Sequence, residues 1–203
     1  MSMISAQTKL KVVKKVLPPV TPHWVGDGLK VYPIFGNVAF TNKISPFLMF
    51  DYGAPKSFQP TSERLGVGMH PHRGMETVTI ALEGEIEHHD SLGNRGVIGP
   101  GEVQWMTAGH GIIHEEYHST NFAQTGGVLE MCQIWVNLPA KDKLTPPKYQ
   151  PILKNKIPEV VLPNRAGWVR VVSGNFKGTT GPASTFSPVN LWQVKLEPRW
   201  KLI

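Results

Sequence analysis

The chain has 203 residues, of which 20 are glycine and 18 are proline, and its formal net charge is +6 at pH 7. This length allows one large domain or two small ones, and the glycine and proline content favours many turns over long helices. The sequence contains no run of about 18 apolar residues and no apolar signal core in residues 1–10. It therefore predicts neither a membrane span nor a cleaved secretion signal.

The single cysteine and the distribution of charge narrow the class of protein further. Cys132 cannot form an intrachain disulfide, which agrees with a reducing compartment, so we expect a cytoplasmic protein, or a nuclear one if the host is eukaryotic. Residues 61–130 carry ten acidic side chains against three basic ones, whereas both flanking segments are basic. Because an acidic segment repels phosphate, nucleic acid is not expected as the direct ligand.

The predicted elements are short strands separated by tight turns. Residues 9–16 roughly alternate lysine with apolar residues and predict an exposed edge strand, and the apolar run 47–50 predicts a strand buried on both faces. Between residues 69 and 135, β-branched runs alternate with glycine turns, which favours a near-complete barrel over residues 24–136. Further strands are predicted at residues 29–35, 77–82, 85–89, 103–107, 168–172 and 191–196.

Two pairs of polar side chains have the spacing i, i+2: His70 with His72, and His114 with Glu116. Side chains two apart on a strand point to the same face, so two such strands side by side can aim three imidazoles and a carboxylate at one point. Such ligands suit iron, nickel, copper, manganese or zinc. The alternative interpretation is two hydrogen-bonded pairs without a metal.

Other side chains near these pairs also have two interpretations. Glu76 shares the parity of His70 if the strand is regular, so it either accepts a hydrogen bond from a ligand imidazole or is a core carboxylate. Phe50 and Met106 either line an apolar pocket or pack in the core. The remaining histidines of these strands are expected at the surface, at a turn or at a strand exit: His88, His89 and His118.

The C-terminal part of the sequence predicts an incomplete second unit. Six prolines between residues 139 and 163 predict a connector, so we place a first unit at residues 1–138 and a second at 164–203. The chain ends directly after the last predicted strand. We therefore expect apolar side chains of the second unit, such as Val171, Leu191 and Val194, to be exposed.

Four long segments resemble signature segments of the pirin family of cupins. The resemblance extends over about residues 20–200, and these segments are Ser45–Asp51, His70–Thr79, Gly99–Glu116 and Trp135–Ala140.

The resemblance implies an all-β fold of two packed cupin barrels, here with the second one truncated, and a single metal in the N-terminal barrel. By position, the implied ligands are His70, His72, His114 and Glu116, and the implied metal is iron. Pirin-like proteins include bacterial quercetin 2,3-dioxygenases and animal co-regulators of transcription. The chain departs from the family pattern at Met75 and at His110, where the change adds an imidazole near the site.

Two functions follow as expectations from this resemblance. The first is a metal-dependent dioxygenase that cleaves quercetin or a related flavonol with O2, with Glu116 as both ligand and base. The second is a non-enzymatic, metal-responsive protein that binds a protein partner and regulates transcription. A cupin with some other small-molecule chemistry is a third possibility, because a fold does not fix a reaction.

Overall fold

The computed structural model describes residues 13–198, which contain sixteen strands, two short α-helices and three 3₁₀ helices (Ala140–Asp142, Lys154–Lys156 and Pro163–Arg165). The α-helices are α1 (Val38–Thr41) and α2 (Thr120–Thr125), and α2 begins where the Ser119 hydroxyl accepts a hydrogen bond from the Phe122 backbone amide. Within the described residues, no helix is long and apolar enough to cross a membrane. The prediction of an all-β protein is confirmed.

The larger sheet has seven antiparallel strands. Their spatial order is β1 (His23–Val25), β2 (Leu29–Phe35), β3 (Phe47–Phe58), β10 (Gly127–Asn137), β5 (Met75–Glu83), β8 (Val103–Thr107) and β11 (Lys148–Ile152). The smaller sheet has four, in the order β4 (Gly66–His72), β9 (Ile112–His118), β6 (Ile86–Asp90) and β7 (Arg95–Ile98). No strand pairing joins the two sheets within residues 13–198, so the barrel is open at its edges.

The two faces of the seven-stranded sheet have different partners. One face turns its polar side chains toward the four-stranded sheet, as Thr79 and Gln104 show through hydrogen bonds to Glu116 and His88. The opposite face is apolar and packs against the C-terminal part of the chain. Its cluster includes Val78, Trp105 and Ile134 from the sheet and Ile157, Val172 and Val189 from beyond it. The side chains therefore alternate between a polar site and a hydrophobic core.

The C-terminal part of the structure is a three-stranded sheet with a small hairpin. The sheet contains β12 (Glu159–Val161), β13 (Gly167–Ser173) and β16 (Leu191–Leu196), and the hairpin is β14 (Asn175–Phe176) with β15 (Thr179–Thr180). The predicted exposure of Val171 was wrong, since this side chain is fully buried. Both faces of β13 are covered, because Val171 packs with Leu162 and Phe176 while Val172 joins the large apolar cluster. Leu191 is half-buried, and Val194 is exposed as predicted.

The proline-rich segment 139–163 contributes strands to both neighbouring sheets. β11 pairs with β8 at one edge of the seven-stranded sheet, and β12 pairs with β13. Pro151 lies within β11, where an edge strand tolerates the missing backbone donor. At the other end of the chain, part of the predicted strand 9–16 lies outside the described residues, and residues 13–22 have no regular structure.

Candidate metal centre

The strand β9 lies in the middle of the smaller sheet and brings both predicted pairs together. It pairs with β4 so that His114 lies directly opposite His70, and with β6 so that Glu116 lies opposite His88. Along β9 the even-numbered side chains from Ile112 to His118 are all buried, while the odd-numbered ones are more exposed. The i, i+2 spacing therefore places His114 and Glu116 on one face, as strand geometry requires.

Three imidazoles form a compact cluster between the sheets. The ring centroids of His70 and His114 are 4.2 Å apart, and that of His72 lies 4.8 Å from His114 and 4.9 Å from His70. One ring nitrogen from each of the three lies within 4.8 Å of the others, which is close enough for them to share one metal ion. The edge of His72 packs against Trp135, with the ring centroids 5.2 Å apart.

The hydrogen bonds of this cluster leave nitrogen lone pairs free for a metal. The Nδ1 of His70 lies 2.8 Å from the Gly68 carbonyl oxygen, to which it donates, so its Nε2 remains available. The Nε2 of His114 is buried and has no hydrogen-bond partner among residues 13–198. Because a buried polar atom is rarely left unpaired, this nitrogen fits the chemistry of a metal ligand.

The charge state of the rings is also suited to metal binding. Burial, with a contribution from the neighbouring imidazoles, lowers the pKa of His72 to about 4 and that of His114 to about 2. Both rings are therefore neutral at neutral pH, and a neutral imidazole is the form that binds metal.

Glu116 is buried beside His114 and lines the same cavity as His70 and His72, but it is not grouped with those two histidines around one point. One carboxylate oxygen is 2.9 Å from the Thr79 hydroxyl, and the other accepts from the Gln133 amide at 3.4 Å. Its ligand atom lies within 4.8 Å of nitrogens of His88 and His114, in a second group that shares His114 with the first. Burial raises the pKa of this carboxyl, which its hydrogen bonds partly oppose.

His88 is the residue that the sequence analysis missed. It is fully buried, and its Nδ1 lies 3.1 Å from His114 Nδ1 and 2.7 Å from Gln104 Nε2. Its expected place at the surface or at a turn was wrong. The parity of β6 was the available signal, because a side chain two positions after the apolar Ile86 shares its buried face. His89 points the other way, toward the carboxylates of Glu87 and Glu115.

A cavity of about 230 Å³ opens beside the histidine cluster. Its walls combine His70, His72 and Glu116 with a largely apolar surface formed by Val25, Leu29, Val31, Met49, Val67, Met131 and Trp135, and its remaining lining residues are His23, Asp51 and Gln133. Asp51 is buried, and one of its carboxylate oxygens has no hydrogen-bond partner in the described part of the chain. Burial raises the pKa of this carboxyl, and the charge of His23 opposes that effect. A second cavity of about 860 Å³ shares His23, Met49, Asp51 and Trp135 with the first.

The structure places Glu76 and Phe50 away from this cavity. Glu76 accepts a hydrogen bond from the Thr107 hydroxyl at 2.8 Å, and its register neighbour Val136 belongs to the apolar core. Gly74, at φ +69°, lies between β4 and β5, so the parity of His70 does not carry over to Glu76. Phe50 shares this core face and packs edge-on against Phe35, while its neighbours Met49 and Asp51 line the cavity.

Three further side chains also lie apart from the cavity lining. Met106 is fully buried and packs with Ala108 and Ile112. His110 lies in the turn after β8 and is exposed, and its backbone amide donates a hydrogen bond to the Thr145 carbonyl oxygen. His118 is buried, with its Nε2 3.0 Å from the Gly28 carbonyl oxygen.

Facing antiparallel sheets with a histidine cluster between them define an all-β protein of the cupin type. The sequence model of the family named Pirin matches residues 28–136. The chain belongs to the pirin family.

Relatives and solved structures agree with this assignment. A Pseudomonas aeruginosa protein, named provisionally as a quercetin 2,3-dioxygenase, is 54% identical over 188 residues, which are 93% of this chain and 66% of that protein. A pirin-like protein of Solanum lycopersicum is 37% identical, over 98% of this chain and 62% of its own length. The chain thus spans somewhat less than two thirds of these relatives.

Two crystal structures show the same fold. A quercetin 2,3-dioxygenase from Acinetobacter baumannii superimposes with a TM-score of 0.83 and 52% identity, over 86% of this chain and 60% of that one. A bacterial pirin from Escherichia coli, in complex with nickel(II), gives a TM-score of 0.52 and 25% identity, over 75% of this chain and 67% of that one.

Proposed function

We propose that this chain holds one divalent metal ion with His70, His72, His114 and Glu116 and catalyses the cleavage of quercetin or a related flavonol by O2. The observation that carries the proposal is the buried, unpaired Nε2 of His114 within a three-imidazole cluster at the wall of a largely apolar cavity. Iron is the first candidate because the family resemblance implies it. Nickel, copper, manganese and zinc suit the same ligand types, and a related bacterial pirin has been crystallised with nickel.

The cavity is suited to a hydroxylated aromatic molecule. Its walls supply apolar surface from Val31, Met131 and Trp135, which excludes water and packs against an aromatic ring. The unpaired oxygen of Asp51 is an acceptor for a phenolic hydroxyl. Because the second cavity shares Asp51 and Trp135, a molecule with two linked ring systems can extend from one cavity into the other.

Glu116 is the residue that takes up the substrate proton in this proposal. A bound divalent ion supplies Lewis acidity, which lowers the pKa of a hydroxyl that coordinates it. Glu116 accepts the released proton on a carboxylate oxygen, while Thr79 and Gln133 hold the carboxylate in place. Burial raises the pKa of Glu116 and so makes its carboxylate a stronger base.

The test measures metal content and oxygen uptake on the same preparations. The purified chain is loaded in turn with iron, nickel, copper or manganese, and O2 consumption is followed with quercetin. We expect one equivalent of metal and metal-dependent O2 uptake that matches flavonol loss, and we expect both to be lost in His114→Gln. One bound equivalent without O2 uptake for any of the four metals would reject the enzymatic function.

The alternative, a metal-responsive partner protein, does not require a substrate cavity. The two cavities beside the histidine cluster, which share lining residues, favour the enzymatic function. If oxygen uptake is absent while metal binds, a pull-down that compares metal-free and metal-loaded protein becomes the discriminating experiment.

A further inference from the structure

His88 contacts the proposed ligand His114 from the neighbouring strand β6. The two Nδ1 atoms are 3.1 Å apart, and both side chains are essentially inaccessible to solvent. The His88 ring stacks on Tyr149 with the centroids 5.1 Å apart and the planes inclined by 23°. The ring is therefore held in one position against His114.

The surroundings of His88 determine which nitrogen carries its proton. The Gln104 amide nitrogen lies 2.7 Å from His88 Nδ1, and an amide nitrogen can only donate. On the other side, His88 Nε2 lies 3.6 Å from a carboxylate oxygen of Asp90, whose negative charge favours a proton on that nitrogen. Neutral His88 therefore has its proton on Nε2 and an acceptor lone pair on Nδ1.

This assignment fixes the proton of His114 as well. Two nitrogens 3.1 Å apart attract each other only if one donates. His88 Nδ1 has no proton to give, so its single lone pair is shared between the Gln104 amide at 2.7 Å and His114 Nδ1 at 3.1 Å. His114 Nδ1 must then carry the proton and donate it. The lone pair of His114 is consequently on Nε2, which is buried and, like His88 Nε2, has no hydrogen-bond partner among the described residues.

The position of β9 explains why a side chain, and not a backbone carbonyl, accepts the Nδ1 proton of His114. His70 donates its Nδ1 proton to the carbonyl of Gly68, which lies in an irregular stretch of the edge strand β4. β9 is paired on both sides, with β4 and with β6. Its backbone carbonyls are used in these ladders, so the acceptor for His114 comes from a side chain on the next strand.

We infer that His88 is a positioning residue, which keeps the proton of His114 on Nδ1 and thereby presents Nε2 to the metal. Partners that orient a ligand imidazole in this way are typically worth about 10–100-fold in metal affinity. The inference rests on the proposed metal site, but the position of the proton in the metal-free protein is independent of it.

The test uses two substitutions of His88 and one matched control. His88→Phe keeps a ring against Tyr149 but removes the acceptor, while His88→Asn restores an acceptor near the position of Nδ1. The control is His118→Phe, because His118 is a similarly buried histidine on β9 that bonds to a backbone carbonyl and belongs to neither cluster. The measurements are nickel affinity by competition with a chromophoric chelator and the histidine tautomers by long-range ¹H–¹⁵N NMR of the metal-free protein.

We expect the wild type to show His114 protonated on Nδ1 and His88 on Nε2. His88→Phe should bind nickel about 10–100-fold more weakly, with His88→Asn and His118→Phe staying within about threefold of the wild type. The inference is overturned if His114 carries its proton on Nε2 in the wild type, or if His88→Phe binds as tightly as His118→Phe. If the wild type binds no nickel, the proposed metal site is rejected. The NMR spectrum of the metal-free protein then still shows whether the proton of His114 is on Nδ1, as the inference requires. Should His88→Phe not fold, the wild-type spectrum decides, because it assigns the proton of His114 without any substitution.

Discussion

Glu116 has a buried carboxylate whose two oxygens accept hydrogen bonds from Thr79 and Gln133, and the proposal assigns it the roles of ligand and base. Glu116→Gln keeps the shape of the side chain and removes its charge. We expect nickel affinity to fall by at least about tenfold and flavonol-dependent oxygen uptake to be lost with it. Without metal, the variant should be at least as stable as the wild type at pH 7, since a buried unpaired charge is costly. Chelator competition, an oxygen electrode and urea unfolding measure these effects.

Unchanged oxygen uptake in Glu116→Gln would remove this residue as the base. Lower uptake at unchanged nickel affinity would instead separate the two roles and leave Glu116 outside the ligand set.

Asp51 should make the stability of the metal-free protein depend on pH. Burial raises the pKa of its carboxyl above the value of about 3.9 in an unfolded chain. Between the two pKa values the folded protein keeps a proton on Asp51 that the unfolded chain has lost. Binding of this proton stabilises the folded state, and the stabilisation decreases as the pH rises through the folded pKa. Asn at this position does not ionise, so the stability of Asp51→Asn relative to the wild type should increase between pH 4 and pH 7.

Urea unfolding of both metal-free proteins at several pH values measures this difference. Parallel stability curves for the wild type and Asp51→Asn would show that the carboxyl has the same pKa in the folded and unfolded states.

The pairing of β4 with β9 holds all four proposed ligands and leaves little space between the strands. A Cβ on Gly66 would lie 2.2 Å from the Glu116 carbonyl oxygen and 2.5 Å from the Tyr117 Cα. Gly66→Ala must therefore push the strands apart, and we expect a loss of about 1–3 kcal/mol in the free energy of unfolding, together with weaker nickel binding.

Gly68→Ala is the control on the same strand, because its nearest neighbour would be the Tyr117 hydroxyl at 3.6 Å. Chemical denaturation and chelator competition compare the two variants. Equal stability and equal nickel affinity would show that the close approach at Gly66 is not required.

At the scale of the whole molecule, the apolar face of the seven-stranded sheet joins the C-terminal part to the site-bearing part. Val172 is fully buried in this shared cluster, whereas Val194, on the next strand of the same C-terminal sheet, is 43% exposed. Val172→Ala should lower the free energy of unfolding by about 1–3 kcal/mol, and Val194→Ala should change it by less than about 0.5 kcal/mol.

Unfolding followed by tryptophan fluorescence tests this prediction, since Trp105 lies in the cluster and Trp135 beside the histidines. We expect a single transition that shifts in Val172→Ala. Two separate transitions, with only one of them shifted, would show that the two parts unfold independently.

The strands, the family and the two pairs of polar side chains that share a face on β4 and β9 could all be predicted from the order of the residues. These features are local, because alternation along a strand depends only on neighbouring residues. The six prolines of residues 139–163 were less informative about structure. They predicted a connector, but residues 148–152 form an edge strand despite Pro151.

Which strands meet, and which face of each sheet carries the site, depends on the folding of the whole chain and could not be predicted from local patterns. Glu76 lies on the core face because Gly74 redirects the chain between β4 and β5, and Val171 is buried because segments distant in sequence cover both faces of β13. His88 reaches His114 only through the pairing of β6 with β9, across 26 residues of sequence. Contacts of this kind depend on how separate strands are paired, and the period of a single strand carries no information about its partner.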